Sequence, residues 1–392
     1  MDILYIVDNK FRDLWGFKEI KEKLNNRNIN LYFCNKYNWN LAIKYINPSF
    51  IIIPHIRNGS PHFQKIVHTA YEKKIRVIVY PSEGLYYEKE HLENEFPDDL
   101  LNKIEKLFLW SDDQGKFIND KHRKKIVVTG TARFYGKNSK KNDKIKTIGV
   151  VNSGRYLSPL TGKNNLLYQI QSRQKSSYHI GYIKQEVEFA DFLCKLIKLS
   201  KEINVKLIFK PHPFEKINNY KEAFPDLIIE DDPDIRVFFN KIDVCINQSS
   251  TAVIQAYAFK IPVINVNNSL NLNKDYMKVF KKYVPFHLGI PINSLDELKK
   301  LLTEHNIEGL FKMNEDRGDM TAINNLSPEY PTVDIIAEEI TKMKFNRTKK
   351  NFFYFFMYLI KEAYLLYNKR NLNNLFRPFK KKDRDLFKKF SL

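Results

Sequence analysis

The sequence predicts an α/β chain of two Rossmann-like, doubly wound domains followed by a basic-aromatic helical tail. Three observations carry this. Short β-branched runs alternate with longer helical patterns along most of the chain, which calls for parallel strands joined by helical crossovers. A Lys/Asn/Ser-rich stretch from Gly136 to Asp143 separates two such series and is the best linker signal in the chain. Two apolar runs, 205–209 and 244–247, each stop at a polar, turn-forming signature, as strands do at the ligand-binding carboxyl edge of an open sheet.

In the first series Ile3–Asp8, Asn30–Cys34, Phe50–Pro54, Ile75–Tyr80, Lys106–Trp110 and Ile126–Gly130 read as strands, with helices over 17–26, 38–46, 62–73 and 98–105. They make an N-terminal domain over residues 1–140. Strands resume at Lys146–Asn152, Val205–Phe209, Leu227–Glu230, Val244–Asn247 and Pro262–Val266, separated by helical patterns over 185–203, 233–240, 251–259 and 294–303. They make a second domain over 144–325. Residues 326–344 hold an acidic-faced helix over 333–344, and 345–392 form the tail.

The chain is 392 residues long with a net charge of +20. Residues 344–392 hold 14 Lys/Arg against three acidic residues, a surplus of +11, so the body is only mildly cationic. Within the tail, Phe352–Ile360 is too short to span a bilayer. Flanked by Lys349-Lys350 and Lys380-Lys381-Lys382, it reads as a segment that lies on an anionic leaflet. Three single cysteines, Cys34, Cys194 and Cys245, argue against a disulfide framework and fit a reducing compartment. The start of the chain lacks the basic and apolar regions of a signal peptide, so a cytoplasmic protein peripheral on the inner membrane face is expected. No CxxC or HExxH offers a metal cage, and His55, His62, His68 and His179 show no metal spacing. Of these, His55 follows a strand directly and is a cleft candidate.

The second-domain signatures are Lys210-Pro211-His212-Pro213 and Asn247-Gln248-Ser249-Ser250-Thr251, the latter opening a helix that contains Gln255. The prolines fix the backbone where the strand exits and hold His212 at the edge, where its imidazole can donate to a phosphate oxygen. Ser249, Ser250 and Thr251 stand at a helix start, with Ser249 or Ser250 as N-cap, and their hydroxyls and backbone N–H groups suit a phosphate. Ser153, in the loop Val151–Arg155, is a further donor-side candidate. In the first domain, Glu83 ends a strand and can act as general base. Asp8, Arg12 and Asp13 follow the first strand, and Arg12 can bind a carboxylate bidentately.

A His-Pro motif after a strand, then a Ser/Ser/Thr turn entering a helix, resembles the donor half of bacterial GT-B glycosyltransferases that use CMP-activated acidic sugars. These are the sialyltransferase-like and β-Kdo transferase families. Val7-Asp8-Asn9-Lys10-Phe11-Arg12-Asp13-Leu14, Ser82-Glu83-Gly84 and Thr129-Gly130-Thr131-Ala132-Arg133-Phe134 resemble, in that order, the bacterial surface-carbohydrate biosynthesis proteins. The resemblance spans residues 1 to about 340. It implies two domains facing a cleft, a CMP-linked donor on the second, a glycan or lipid-linked acceptor on the first, and transfer of Kdo or another acidic sugar. Lys210, His212, Pro213, Ser249, Ser250, Thr251, Gln255 and Ser153 would hold the donor, Asp8, Arg12 and Asp13 the acceptor. Gln255 departs from the family, which usually has Glu facing the ribose. If configuration is retained, a carboxylate nucleophile is needed; Glu186, Glu188, Asp191, Asp231 and Asp232 are candidates, with Asp191 preferred.

Three alternatives compete. A polyol-phosphate transferase of the teichoic-acid type would use a CDP donor, but usually shows Asp-Tyr-Ser-Ser where this chain has Asn247-Gln248-Ser249-Ser250. A basic nucleic-acid-binding protein would explain the charge but not the strand-end signatures. A non-catalytic scaffold is suggested by Gln255. Leading these is a metal-independent glycosyltransferase with no cofactor beyond its donor and no nucleic-acid partner.

Overall fold

A computed structural model of the chain describes residues 1–8, 13–14, 16–82, 89–134, 143–152, 154, 158, 176–213, 215–232, 234–272, 287–317 and 331–343. The chain divides into two compact units. Met1–Tyr135 and the segment returning from Pro328 form the first, and Gly136–Ser327 the second.

The first unit runs β1 (Asp2–Val7), α1 (Phe17–Asn25), β2 (Asn30–Asn35), α2 (Trp39–Ile46), β3 (Phe50–Ile53), α3 (Pro61–Glu72), β4 (Arg76–Val79), α4 (Lys89–Glu95), α5 (Asp98–Leu101), β5 (Lys106–Leu109) and β6 (Ile126–Val128). Its sheet is wholly parallel, in the order β2-β1-β3-β4-β5-β6. Both faces are covered, so the central strands are apolar but for Asp2 at the start of β1: every residue of β1 and β3 is buried. Ile51, Ile53, Phe63, Val67, Val77 and Leu107 belong to one core, Ile3, Tyr5, Phe17, Phe33, Ile52 and Ile78 to the other.

The second unit runs β7 (Thr147–Asn152), α6 (Ser176–Glu202), β8 (Lys206–Lys210), α7 (Ile217–Ala223), β9 (Ile228–Ile229), α8 (Ile235–Phe239), β10 (Val244–Gln248), α9 (Ala252–Ala258), β11 (Val263–Asn265), β12 (Ile290–Pro291), α10 (Leu295–Glu304) and α11 (Ile307–Asp316). Its sheet is also parallel, in the order β12-β11-β10-β7-β8-β9. The remaining helix, α12 (Thr332–Lys342), packs on the first unit. Val333, Ile336 and Ile340 enter the core around α1, and Arg27 donates to the Thr341 hydroxyl at 3.0 Å.

All eleven expected strands are present, and the differences lie at short elements. Strand β12 was not expected: it is two residues long, carries Pro291 and sits at the sheet edge, the one place where a missing N–H breaks no ladder. Helix α7 was also unexpected, as was helix α11. Its start is capped by Asn306, whose side chain accepts from the Gly309 N–H at 2.8 Å. Its buried Asn314 amide exchanges two hydrogen bonds with the Val263 backbone, at 2.7 and 3.0 Å. The helix expected over 98–105 is a single turn after Pro97, and α4 precedes it. Helix α6 begins nine residues before the expected 185, at Ser176.

Candidate functional site

In each sheet the strand order reverses once, and the crevice outside that point is where open α/β sheets bind ligands. In the second unit the chain runs from β7 outward to β8 and β9, then returns to place β10 on the other side of β7. The reversal lies between β7 and β10, whose last residues Asn152 and Gln248 are register partners. Both are buried. Among the described residues, Gln248 Nε2 and Asn152 Oδ1 have no hydrogen-bond partner. An unpaired buried amide group costs roughly 1–3 kcal/mol, so the unused donor and the unused acceptor at this crevice are groups that a polar ligand would satisfy.

The two sequence signatures flank that pair. Lys210 is the register partner of Val151, so the chain leaves β8 directly beside the end of β7. Pro211 is buried, His212 half-buried and Pro213 exposed. The Lys210 ammonium donates to the carbonyls of Glu230 and Asp232, at 3.3 and 2.5 Å. It thereby ties β8 to the loop after β9, and burial holds its pKa below the usual range against the pull of Glu230 and Asp232. On the other side, Ser249 has φ 59°, a left-handed conformation costly for a non-glycine residue. It turns the chain sharply into α9. The Asn247 side chain accepts from the Ser250 N–H at 2.9 Å.

The helix starts later than the sequence suggested. Thr251 occupies the N-cap position without a capping bond from its side chain, so neither Ser249 nor Ser250 is the cap. Ser249 Oγ donates to Asn267 Oδ1 at 3.3 Å, and Ser250 Oγ accepts from the Ala252 N–H at 3.3 Å. Both hydroxyls therefore shape the turn, while Thr251 is exposed. Gln255 is buried within α9.

The nucleophile preference for Asp191 finds no support. Its carboxylate is 60% exposed and paired with Lys195 at 2.6 Å, an ordinary (i, i+4) surface contact. Asp231 is likewise exposed, 3.7 Å from Lys221. On the same helix as Asp191, Glu186 is the buried carboxylate. It lines a pocket of about 160 Å³ with Asn152, Phe189, Leu193, Tyr220 and Phe224. Sequence reasoning missed Glu215 altogether. It lies three residues past His212 and is 3% exposed. Its spacing after a turn signature was the available signal, because a carboxylate there can cap the turn's N–H groups.

In the first unit the reversal lies between β1 and β3. Asp8, just past β1, and His55, just past β3, meet there with Nε2 3.5 Å from Oδ2. Lys36, after β2, reaches the other Asp8 oxygen at 2.5 Å. The Asp8 N–H donates to Asp13 Oδ2 at 2.8 Å, so Asp13 holds the Asp8 backbone in place. His55 is buried, its ring edge-on to Phe63 at 4.3 Å between centroids. Burial, then the Asp8 charge, pushes the neighbouring Tyr37 phenol up. The structure thus joins Asp8, Asp13 and His55 and adds Lys36. Arg12, Glu83 and Ser153 lie outside the described residues, as does the tail. Among the described residues no cluster of three or more His, Cys, Asp or Glu side chains could hold a metal, and no helix is long and apolar enough to cross a membrane.

Among solved structures, the wall teichoic acid polymerase TagF matches with a TM-score of 0.53 at 11% identity, covering 87% of this chain and 88% of that one. The chain has a GT-B-like fold. A UDP-GlcNAc 2-epimerase from Methanocaldococcus jannaschii, solved with UDP-GlcNAc and UDP, matches with a TM-score of 0.48 at 12% identity, covering 88% of this chain and all of that one. No protein-family model matches the chain, and no curated protein matches it in sequence. What the GT-B-like fold adds is an expectation of place: in such sheets the strand-order reversals are the sites to read.

Proposed function

We propose that this protein is a glycosyltransferase of surface-polysaccharide synthesis. It takes Kdo or another acidic sugar from a CMP-linked donor bound by the second unit and passes it to a glycan or lipid-linked acceptor bound by the first. The observation that carries this reading is the reversal between β7 and β10. There the unpaired Gln248 Nε2 and Asn152 Oδ1 lie between the His212 exit loop and the strained Ser249 turn. One donor and one acceptor suit the polar edges of a nucleotide, the His212 imidazole suits its phosphate, and the exposed Thr251 hydroxyl adds a second donor.

In transfer, the acceptor hydroxyl oxygen forms a bond to the anomeric carbon as that carbon's bond to the CMP phosphate oxygen breaks. CMP leaves with the electron pair, and His212 stabilises the charge that gathers on its phosphate. The hydroxyl proton passes to a base on the first unit. We assign that role to His55, with Asp8 orienting the ring as a carboxylate orients the imidazole of a hydrolase triad. Glu83 is the rival base read from the sequence. Incubation with a CMP-linked acidic sugar and a glycan acceptor tests the whole: product and CMP appear with wild type and fail with His212→Ala. Unimpaired transfer by that variant would refute the role of His212.

A second reading rests on the fold likeness to TagF, a wall teichoic acid polymerase. Here the second unit would hold a CDP-linked polyol, and the group transferred would be a polyol phosphate. The same assay run with CDP-glycerol separates the two. The basic tail would keep the enzyme at the inner membrane face, where lipid-linked acceptors reside.

A further inference from the structure

Behind the residues assigned to the donor, the ends of β7 and β8 and the start of α7 share one buried carboxylate. Glu215 Oε2 accepts the His212 N–H at 2.7 Å, and the Glu215 N–H donates to the His212 carbonyl at 2.9 Å. His212 and Glu215 are therefore tied to each other by two hydrogen bonds. Glu215 Oε1 accepts the Tyr220 hydroxyl at 2.5 Å, and the Asn152 side chain bonds the same carboxylate. The fit leaves no slack. A Cβ on Gly154 would stand 2.4 Å from Glu215 Oε1 and 2.7 Å from Asn152 Nδ2.

Glu is almost never fully buried unless paired, and at 3% exposure this carboxylate has a second buried carboxylate beside it. Glu186 of α6 is that neighbour. The groups facing Glu215 are thus Glu186 from α6, Tyr220 from α7, Asn152 from β7 and His212 from its own loop. The Glu215 carboxyl is pushed up to about 7, burial being the largest cause; the Tyr220 and His212 bonds pull it down, and Glu186 adds to the rise. Three donors converge on it, the His212 N–H, the Tyr220 hydroxyl and the Asn152 amide, so the latch is tightest when the carboxylate is ionised, since bonds to an ionised acceptor are the stronger kind.

We propose that Glu215 is a positioning residue for donor binding: its carboxylate fixes His212 against the end of β7 and touches no substrate itself. The inference rests on the donor reading given above and names what makes that site rigid. Ionisation of Glu215 stiffens the His212 loop, so donor binding strengthens as the pH rises toward slightly alkaline values.

Amide exchange at His212, followed by NMR on the full chain from pH 5.5 to 8.5, tests this, together with CMP titration. In wild type the His212 N–H is protected, and protection grows with pH. Glu215→Ala should lose at least about tenfold in both protection and CMP affinity, the loss of a bond to a charged group. Glu215→Gln keeps a carbonyl acceptor for the N–H, so protection persists but its pH response disappears. If Glu215→Ala does not fold, Glu215→Asp, one methylene short of His212, carries the same expectation of loss. Undiminished His212 protection in Ala or Asp, or a pH response retained in Gln, would overturn the proposal. A wild type that ignores CMP would sink the donor reading alone, because amide exchange reads the latch without nucleotide.

Discussion

His55 Nε2 stands 3.5 Å from Asp8 Oδ2 in the crevice where the strand order of the first unit reverses. The two residues are 47 positions apart in sequence and are joined because β1 and β3 are neighbours. Lys36 holds the other Asp8 oxygen, so the carboxylate is fixed from two sides.

If that carboxylate orients the acceptor base, Asp8→Asn should lower kcat about 100-fold and His55→Gln by 100-fold to about 10,000-fold, the usual range for a general base, with donor KM unchanged. Steady-state transfer at saturating acceptor checks this. Activity within twofold of wild type in His55→Gln would return the role to Glu83.

Glu215 should leave a signature in stability as well as in binding. Its carboxyl is raised from 4.5 to about 7, so the folded state holds a proton that the unfolded chain has released. This contribution is complete below about pH 4.5 and is lost as the pH climbs to 7, a difference of roughly 3 kcal/mol. Denaturant midpoints of wild type should therefore fall across that window relative to Glu215→Gln. Parallel curves for the two proteins would contradict the raised carboxyl.

Gly154→Ala places a methyl group 2.4 Å from Glu215 Oε1. Relief requires moving the carboxylate or the Asn152 amide, and overpacking of this kind costs about 1–3 kcal/mol. A lower melting temperature and weaker CMP binding should appear together. A variant with wild-type affinity would show that the latch has room.

The basic tail, 14 Lys/Arg against three acidic residues over 344–392, predicts binding to anionic membranes. Deleting 345–392 should abolish co-sedimentation with phosphatidylglycerol vesicles at low salt. Unchanged binding would place the membrane contact elsewhere.

Much of the fold could be read from the sequence because parallel sheets covered on both faces leave unmistakable apolar runs, as at Phe50–Ile53 and Val244–Ile246. Ile290–Pro291 escaped because two residues, one of them proline, carry no periodicity. The donor signatures were visible because proline and consecutive hydroxyls punctuate strand ends. What the hydroxyls do was not: Ser249 and Ser250 turn inward to Asn267 and Ala252, which only the backbone path determines. Asp191 and Glu186 look alike in sequence, yet one faces solvent and the other a pocket, since five residues advance a helix by about 500°. Asp8 and His55 were each singled out, but their meeting required the strand order.

The most direct test of a CMP-linked donor at the β7–β10 reversal is a thermal-shift titration with CMP, CDP, UDP and GDP on wild type and His212→Ala. A ligand that binds only the folded state stabilises it by about 2.7 kcal/mol at a hundredfold excess over Kd. CMP should raise the wild-type melting temperature more than UDP or GDP, and His212→Ala should lose most of that rise while melting normally without ligand. A preference for UDP or GDP, or an equal rise in His212→Ala, would contradict it.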